Sequence, residues 1–238
     1  MKLIDKILDF FNPQGIKCVL CGRDVNKSPH GFCDKCKKEL PTNDHVCQKC
    51  GVDIRTMNDF CDMCGKNQLA FDEARSVCRY EGQAQQLVLR LKFSGQKYLS
   101  KPMAHMMAQV LQNQNWQFDA VTFIPSSKDT LKNRGYNQAQ LIADDICDII
   151  NLKVVDLAEK VKDLPPQEKM DYIGRFDNMK GAFVLKQKPP KSLLVIDDVK
   201  TTGATLNEFA KLVKKHGCKK VYCLTFASRV KQPPMSKL

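Results

Sequence analysis

The sequence predicts an α/β protein, a parallel sheet flanked by helices, preceded by a small cysteine-rich metal-binding domain. Three observations lead there. Leu193-Leu194-Val195-Ile196 is an unbroken apolar run, the pattern of a strand buried on both faces, and helical periodicity takes over from Leu206. Residues 119–125 form a second apolar strand, again followed by a polar loop and a helical pattern. Upstream of both stand four evenly spaced Cys-x-x-Cys pairs.

The chain has 238 residues, enough for one ordinary domain and a small one. The boundary falls in residues 65–75, giving domains 1–70 and 71–238. With 43% hydrophobic residues the chain can fill a core. No apolar run approaches the roughly 18 residues of a membrane helix, so membrane insertion is not expected. Residues 1–11 are amphipathic, but Asp5, Lys6 and Asp9 interrupt them. They read as a short helix packing on its own protein rather than as a signal peptide. The role of residues 1–12 is otherwise open. Twelve cysteines without a secretion signal point to a reducing compartment and to metal ligation rather than a disulfide scaffold.

The cysteine pairs are Cys18/Cys21, Cys33/Cys36, Cys47/Cys50 and Cys61/Cys64, separated by 11, 10 and 10 residues. One Cys-x-x-Cys turn aims two sulfurs at one ion, and two turns complete a tetrahedron. Two structural zinc sites follow. Sequential pairing is favoured over a cross-braced arrangement, because 18–36 and 47–64 are near-equal repeats. Gly22, Gly51 and Gly65 each follow a cysteine directly, where positive φ is often required. His30 and His45 are surplus to eight thiolates and read as surface residues. The formal charge of +12 drops to about +8 with two Cys₄ zinc centres, which still suits an anionic partner.

The remaining elements follow in order. Residues 77–80 read as a strand and 81–82 as a turn. Residues 84–93 and 102–112 read as helices, the second with Met103, Met106 and Met107 as core filler. Trp116 reads as a packing anchor. After the strand at 119–125, a basic loop carries Ser126, Ser127, Lys128, Lys132 and Arg134, suited to a pyrophosphate, and a helix runs to about Ile150. Residues 154–161 are extended or mixed, and 164–178 form a polar, turn-rich loop of the length typical of lids. A strand or hairpin element is expected at 182–185, a final strand at 220–227, and a frayed tail from Lys231. Cys78, Cys147, Cys218 and Cys223 have no ligand spacing and read as buried thiols. No Walker A or G-x-G-x-x-G sequence is present, so ATP and dinucleotides have no motif behind them.

The strand at 193–196 leads into Asp197-Asp198-Val199-Lys200-Thr201-Thr202-Gly203-Ala204-Thr205. Open parallel sheets bind ligands beyond the C-terminal ends of their strands, and a helix start favours anions. Gly203 permits close backbone approach, and the threonines add donors. The two acids are expected at the strand tip, accepting bonds from sugar hydroxyls or facing a Mg²⁺-bound ligand. The local reading is a sugar-phosphate site. Lys200 adds charge near the phosphate or points to solvent.

Residues 193–205 resemble the signature of type I phosphoribosyltransferases, which bind phosphoribosyl pyrophosphate (PRPP). The whole chain resembles the competence protein F (ComF) family. The matching stretches are Arg79-Tyr80-Glu81-Gly82, Leu91-Lys92-Phe93, Arg134-Gly135-Tyr136-Asn137-Gln138, Arg175 through Asn178 to Gly181-Ala182-Phe183, and the 197–205 motif. The resemblance implies a double zinc ribbon ahead of a type I phosphoribosyltransferase fold. It implies Asp197 and Asp198 as catalytic residues. It implies PRPP contacts from Lys200, Thr201, Thr202, Gly203, Ala204, Thr205, Ser126, Ser127, Lys128, Arg134 and Arg175, with magnesium accompanying PRPP, and it raises Asn137, Gln138 and Gln167. A role in DNA uptake is implied too, handling imported single-stranded DNA on the cytoplasmic side with a DNA helicase as partner. Nucleotide salvage with an unknown acceptor, or a zinc-ribbon scaffold for a helicase, are the alternatives. A base-stacking platform needs exposed aromatics; Tyr136, Tyr172, Phe60 and Trp116 are the candidates.

Overall fold

The computed structural model describes residues 17–25, 31–43, 45–54, 58–66, 69–162 and 179–229. The amphipathic start, His30, the tail from Lys231 and the 164–178 loop with Gln167, Tyr172, Arg175 and Asn178 lie outside the described residues.

Two five-residue helices, α1 (Asp34–Lys38) and α2 (Asp62–Lys66), belong to the cysteine-rich part. There follow β1 (Glu73–Arg79), α3 (Gly82–Phe93), a 3₁₀ turn (Lys97–Leu99), α4 (Ser100–Gln112), β2 (Ala120–Phe123), α5 (Lys128–Arg134) and α6 (Gln138–Ile150). Then come β3 (Ala158–Lys160), β4 (Phe183–Leu185), β5 (Ser192–Lys200), α7 (Ala204–Lys215) and β6 (Lys220–Ser228). Four strands form a parallel sheet in the order β1-β6-β5-β2, and β3 and β4 pair as a separate antiparallel ribbon.

The apolar run at 193–196 forms the first half of β5, where both faces of the sheet are covered. Leu194 and Ile196 join Leu87, Leu91, Met103, Met107, Ile142 and Ile146 from α3, α4 and α6. Leu193 and Val195 point the other way, into a cluster with Leu206, Phe209 and Val213 of α7. Burying one such side chain contributes about 1.5–3 kcal/mol. The methionines of α4 are core filler as expected, and Cys78, Cys147, Cys218 and Cys223 are all buried.

Three elements differ from expectation. β1 starts at Glu73, inside the stretch read as a boundary, because Glu73 and Ala74 already pair with Tyr222 and Cys223 of β6. β5 runs through the acid pair to Lys200, since Asp197 stands opposite Thr225 and Lys200 opposite Ser228. The basic loop after β2 is largely helical. Ser127 caps α5 by accepting from Thr130 N–H at 3.3 Å, and Gly135 ends it at φ +79°.

The cysteine-rich part closes the outer edge of β1. Thr42 pairs antiparallel with Cys78, Arg79 N–H donates to Pro41 O at 2.7 Å, and Ala74 N–H donates to Lys49 O at 2.9 Å. A sheet edge left open would template pairing with another chain. The first cysteine unit leans on the α3/α4 face, where Arg90 Nη1 donates to Val19 O at 2.7 Å and Phe32 and Leu40 enter the core. The second leans on the α7 face, where Cys47, Cys50 and Ile54 are core residues. Among the described residues, no helix is long and apolar enough to cross a membrane.

Candidate functional site

The eight paired cysteines gather into two clusters, Cys18/Cys21/Cys33/Cys36 and Cys47/Cys50/Cys61/Cys64, each with its four sulfurs within 4.8 Å of one another. Pairing is therefore sequential. The first knuckle of each unit is built alike. Cys18 N–H donates to Arg23 O and Gly22 N–H to Cys18 O; Cys47 N–H donates to Val52 O and Gly51 N–H to Cys47 O. Gly22 and Gly51 have φ of +71° and +64°. Gly65 does not need this freedom, because it lies within α2.

Sulfur separations of 3.7 Å for Cys21–Cys33 and Cys50–Cys61 match the roughly 3.8 Å edge of a tetrahedron with Zn–S bonds of about 2.3 Å. The crowded thiols cannot all carry charge without a cation. Burial opposes ionisation of Cys18, yet hydrogen bonds from the backbone of Cys21, Cys33 and Leu20 and from the Cys21 thiol bring it down to about 6. Burial, with the neighbouring sulfurs, pushes Cys36 up. The donor set fits two Cys₄ zinc sites, each complete, with no position left open for substrate.

The second centre of chemistry lies at the C-terminal end of the sheet. Asp197 is 9% exposed and Asp198 2%. Lys92, next to the last residue of α3, brings Nζ to 2.5 Å from Asp198 Oδ2. Gln138, the first residue of α6, donates from Nε2 to Asp198 Oδ1 at 3.3 Å. Arg134 Nη1 donates in turn to Gln138 Oε1. Asn137 caps α6 and ties it to β2, donating from Nδ2 to Ile124 O at 2.9 Å.

These contacts make the two acids unlike. Burial raises the Asp197 carboxyl well above the carboxylate range, and the adjacent Asp198 charge adds to this. Burial acts on Asp198 in the same direction, but the Lys92 ammonium, with bonds from Asp197 and Gln138, holds it below its ordinary value. Asp197 is thus the weaker acid of the pair, and the Asp198 carboxylate is matched by Lys92.

The loop Thr201–Thr202–Gly203 turns the chain into α7. Gly203 stands at the helix N-cap with φ +80° and brings no side chain to bond the first-turn amides. Thr202 Oγ1 accepts from Ala204 N–H at 3.2 Å. Amides and hydroxyls at the start of a 12-residue helix form an anion cradle. Lys200 is buried beside this cradle rather than pointing to solvent. It is 5% exposed, and its methylenes lie about 4.0 Å from where a Gly203 side chain would begin. The strand continuation buries it.

Ser126, Ser127 and Lys128 follow β2, whose Phe123 is in register with Ile196, so they leave the same end of the sheet as the acids. The structure brings Arg134 into the acid network through Gln138. Of the aromatic candidates, Trp116 is buried, stacked on Tyr222 at 5.0 Å and donating to Glu73 Oε2. Tyr136 is buried too, its hydroxyl donating to Leu91 O. Neither is a stacking platform; Phe60 is exposed. Residue patterning missed Lys92. Its only signal was the family-like stretch Leu91-Lys92-Phe93, because nothing in helical periodicity marks a lysine at a helix end.

Residues 7–65 match the double zinc ribbon domain family, and residues 101–237 match the phosphoribosyl transferase domain family. The chain is 26% identical over 227 residues to "Competence protein F" of Haemophilus influenzae, covering 90% of this chain and 96% of that protein. It is 30% identical over 152 residues to "Competence protein ComFC" of Streptococcus pneumoniae, covering 62% of this chain and 64% of that one. Similar solved structures include a hypoxanthine phosphoribosyl transferase of Trypanosoma cruzi (12% identity, 59% of this chain and 70% of that one, TM-score 0.34) and a purine phosphoribosyltransferase of Pyrococcus horikoshii (16%, 57% and 91%, TM-score 0.28). The chain belongs to the phosphoribosyl transferase domain family, carries a double zinc ribbon on the N-terminal side of that domain, and is a relative of competence protein F.

Proposed function

We propose that the protein binds PRPP with magnesium at the β5–α7 loop and serves natural competence, handling imported single-stranded DNA in the cytoplasm. The observation that carries the proposal is the buried Asp197–Asp198 pair beside the start of α7, whose N-cap glycine brings no capping side chain. A ribose diol pairs with the acids while the 5′-phosphate takes the amides and hydroxyls of residues 201–205. Ser126, Ser127, Lys128 and Arg134 face the pyrophosphate side, and Arg175 is their expected companion from the 164–178 loop.

Binding at this site does specific work on the chain's own groups. The diol accepts the order already imposed on Asp198 by Gln138 and Lys92. Negative charge at the acids favours positive charge developing on the ribose as pyrophosphate departs. Magnesium supplies charge neutralisation at the pyrophosphate, held chiefly through substrate oxygens and water. Lys92, paired with Asp198, would also offer its ammonium to the phosphates of a bound ligand.

The family relationship favours a competence role, and the basic charge favours a nucleic-acid partner. A helicase partner belongs to the same proposal. The zinc ribbons enter the transferase core on both faces of the sheet, which counts against a ribbon acting as a free-standing scaffold.

The deciding experiment is calorimetric titration of PRPP–Mg²⁺ into wild type and Asp197→Ala/Asp198→Ala protein, with and without single-stranded DNA. Binding by wild type alone supports the proposal; equal binding by the variant overturns it. Pyrophosphate release with a panel of bases, read in parallel, decides whether a bond is made.

A further inference from the structure

Phe93 ends α3 and is 72% exposed, the largest exposure of any large hydrophobic residue among the described residues. Such a ring is not simply stray apolar surface. The Arg134 guanidinium lies over it, 5.2 Å from the ring centroid, and the two residues border a cavity of about 430 Å³. Lys92, Gly95, Thr130, Asn133 and Tyr136 complete the lining. The Lys97 ammonium sits 4.8 Å from the Tyr136 centroid. One face of this wall is therefore aromatic, its rim is cationic, and Thr130 and Asn133 add hydrogen-bonding groups.

The elements around the cavity are rich in cations, one of which, Lys92, is paired with Asp198. Residues 82–101 contain Arg90, Lys92, Lys97 and Lys101 and no carboxylate. α5 adds Lys128, Lys132 and Arg134 against a single acid, Asp129. Exposed apolar or aromatic side chains continue on either side, with Leu89 one helical turn before Phe93, Tyr98 beyond it and Leu131 on α5. Aromatic faces interleaved with cations, spread wider than one small ligand covers, are the chemistry of single-stranded nucleic acid: bases stack and phosphates meet the cations.

We infer that the Phe93–Arg134 cavity is where a nucleic-acid single strand docks, with a base stacked on the open face of Phe93 and its phosphates held by the surrounding cations. This rests on the single-strand half of the function proposed above. It also gives that strand a definite relation to the PRPP site, since Lys92 lines the cavity and grips Asp198, and Arg134 both stacks on Phe93 and bonds Gln138.

The test compares wild type, Phe93→Ala and Phe93→Trp by fluorescence anisotropy. The probes are a labelled oligothymidylate of roughly 20 nucleotides and an abasic strand of equal length. The wild type is expected to hold the thymidylate about tenfold tighter than the abasic strand. Phe93→Ala loses that preference while its salt dependence stays, because the phosphate contacts remain. Phe93→Trp keeps it. Phe93 is exposed, so the variant should melt as the wild type does, and thermal melting checks this directly. Equal affinity of Phe93→Ala and wild type for the thymidylate overturns the inference, as does equal wild-type affinity for both strands. Competition by thymidine monophosphate as strong as by the strand makes the cavity a small-molecule site and also overturns it. PRPP titration of the same samples is read separately. If the wild type binds PRPP but no strand, this inference and the DNA half of the function fall while the PRPP half stands.

Discussion

Lys92 and Asp198, 106 positions apart, meet with Nζ 2.5 Å from Oδ2, and this ion pair joins the end of α3 to the centre of the acid site. The carboxylate side chain is 4% exposed and the lysine 23%, so the pair is shielded mainly on the acid's side. Removing the lysine leaves a buried anion with one fewer partner. Breaking a buried pair costs about 3–5 kcal/mol, and the lysine's partial exposure places Lys92→Met near or below the lower end. Urea denaturation is expected to show a loss of about 2–3 kcal/mol. Adding Asp198→Asn to it should recover most of that loss. A single-variant effect smaller than about 0.5 kcal/mol would show that the pair is effectively solvated.

The unlike titration of the two acids gives a pH signature. Burial and the Asp198 charge raise the Asp197 carboxyl in the free protein. Ribose hydroxyls and a nearby magnesium favour its ionised form, so binding releases a proton and affinity rises with pH until Asp197 is ionised beforehand. Calorimetry of PRPP–Mg²⁺ in buffers of different ionisation enthalpy should show that release. Asp197→Asn should remove the component that the phosphates of PRPP do not supply. Proton uptake on binding would sink this assignment.

The same acids act oppositely on stability. Asp198, whose carboxyl is lowered, contributes stability above the unfolded value of about 3.9 and loses it as pH falls through its folded value. Asp197, which is raised, contributes stability below about 3.9 and loses it as pH rises through its folded value. Asp197→Asn should therefore stabilise the ligand-free protein at neutral pH, as thermal melting at two pH values can check.

Zinc content separates the two ribbons. Native mass spectrometry should find two zinc ions per chain, and Cys50→Ser should leave one. Cys47 and Cys50 lie in the α7-side core, so loss of this site should lower the melting temperature of the whole protein by about 5–10 °C. A variant that loses zinc without moving the main transition would contradict a shared core.

Two knuckle glycines offer a controlled comparison. A side chain at Gly51 would begin 2.3 Å from the Ala74 carbonyl oxygen, at φ +64°. At Gly22, with φ +71°, nothing lies within 4 Å. Gly22→Ala should cost only the left-handed backbone penalty, about 1–2 kcal/mol. Gly51→Ala should cost at least about 2 kcal/mol more, because backbone itself must move. Equal costs in chemical denaturation would mean that the second ribbon slides freely on β1.

Much of this arrangement was legible in the chain. Cys-x-x-Cys spacing encodes local turn geometry, and the run 193–196 encodes burial on both sides. What could not be read depended on distant partners. Asp197 looked like a strand end because acids are rarely buried, yet pairing opposite Thr225 carries β5 onward. α5 buries no residue and so shows no apolar stripe; its caps at Ser127 and Gly135 hold it. Lys92 acquires its role only because α3 ends beside β5. Trp116 and Tyr136 are not surface rings, because Glu73 and the Leu91 carbonyl accept from their polar ends inside the fold.

The closure of β1 by residues 41–43 bears on the order in which the chain assembles during synthesis. The sheet partner of β1 is β6, Lys220–Ser228, the last of the four sheet strands along the chain. For most of translation β1 has no neighbour in the sheet. The segment with Pro41, Thr42 and Asn43 is made just before it and bonds Arg79, Cys78 and Ser76 without waiting. The zinc ribbons thus act as a built-in escort for a nascent strand. Limiting zinc should therefore lower the yield of folded protein from a ribosome more than it lowers the stability of protein already made.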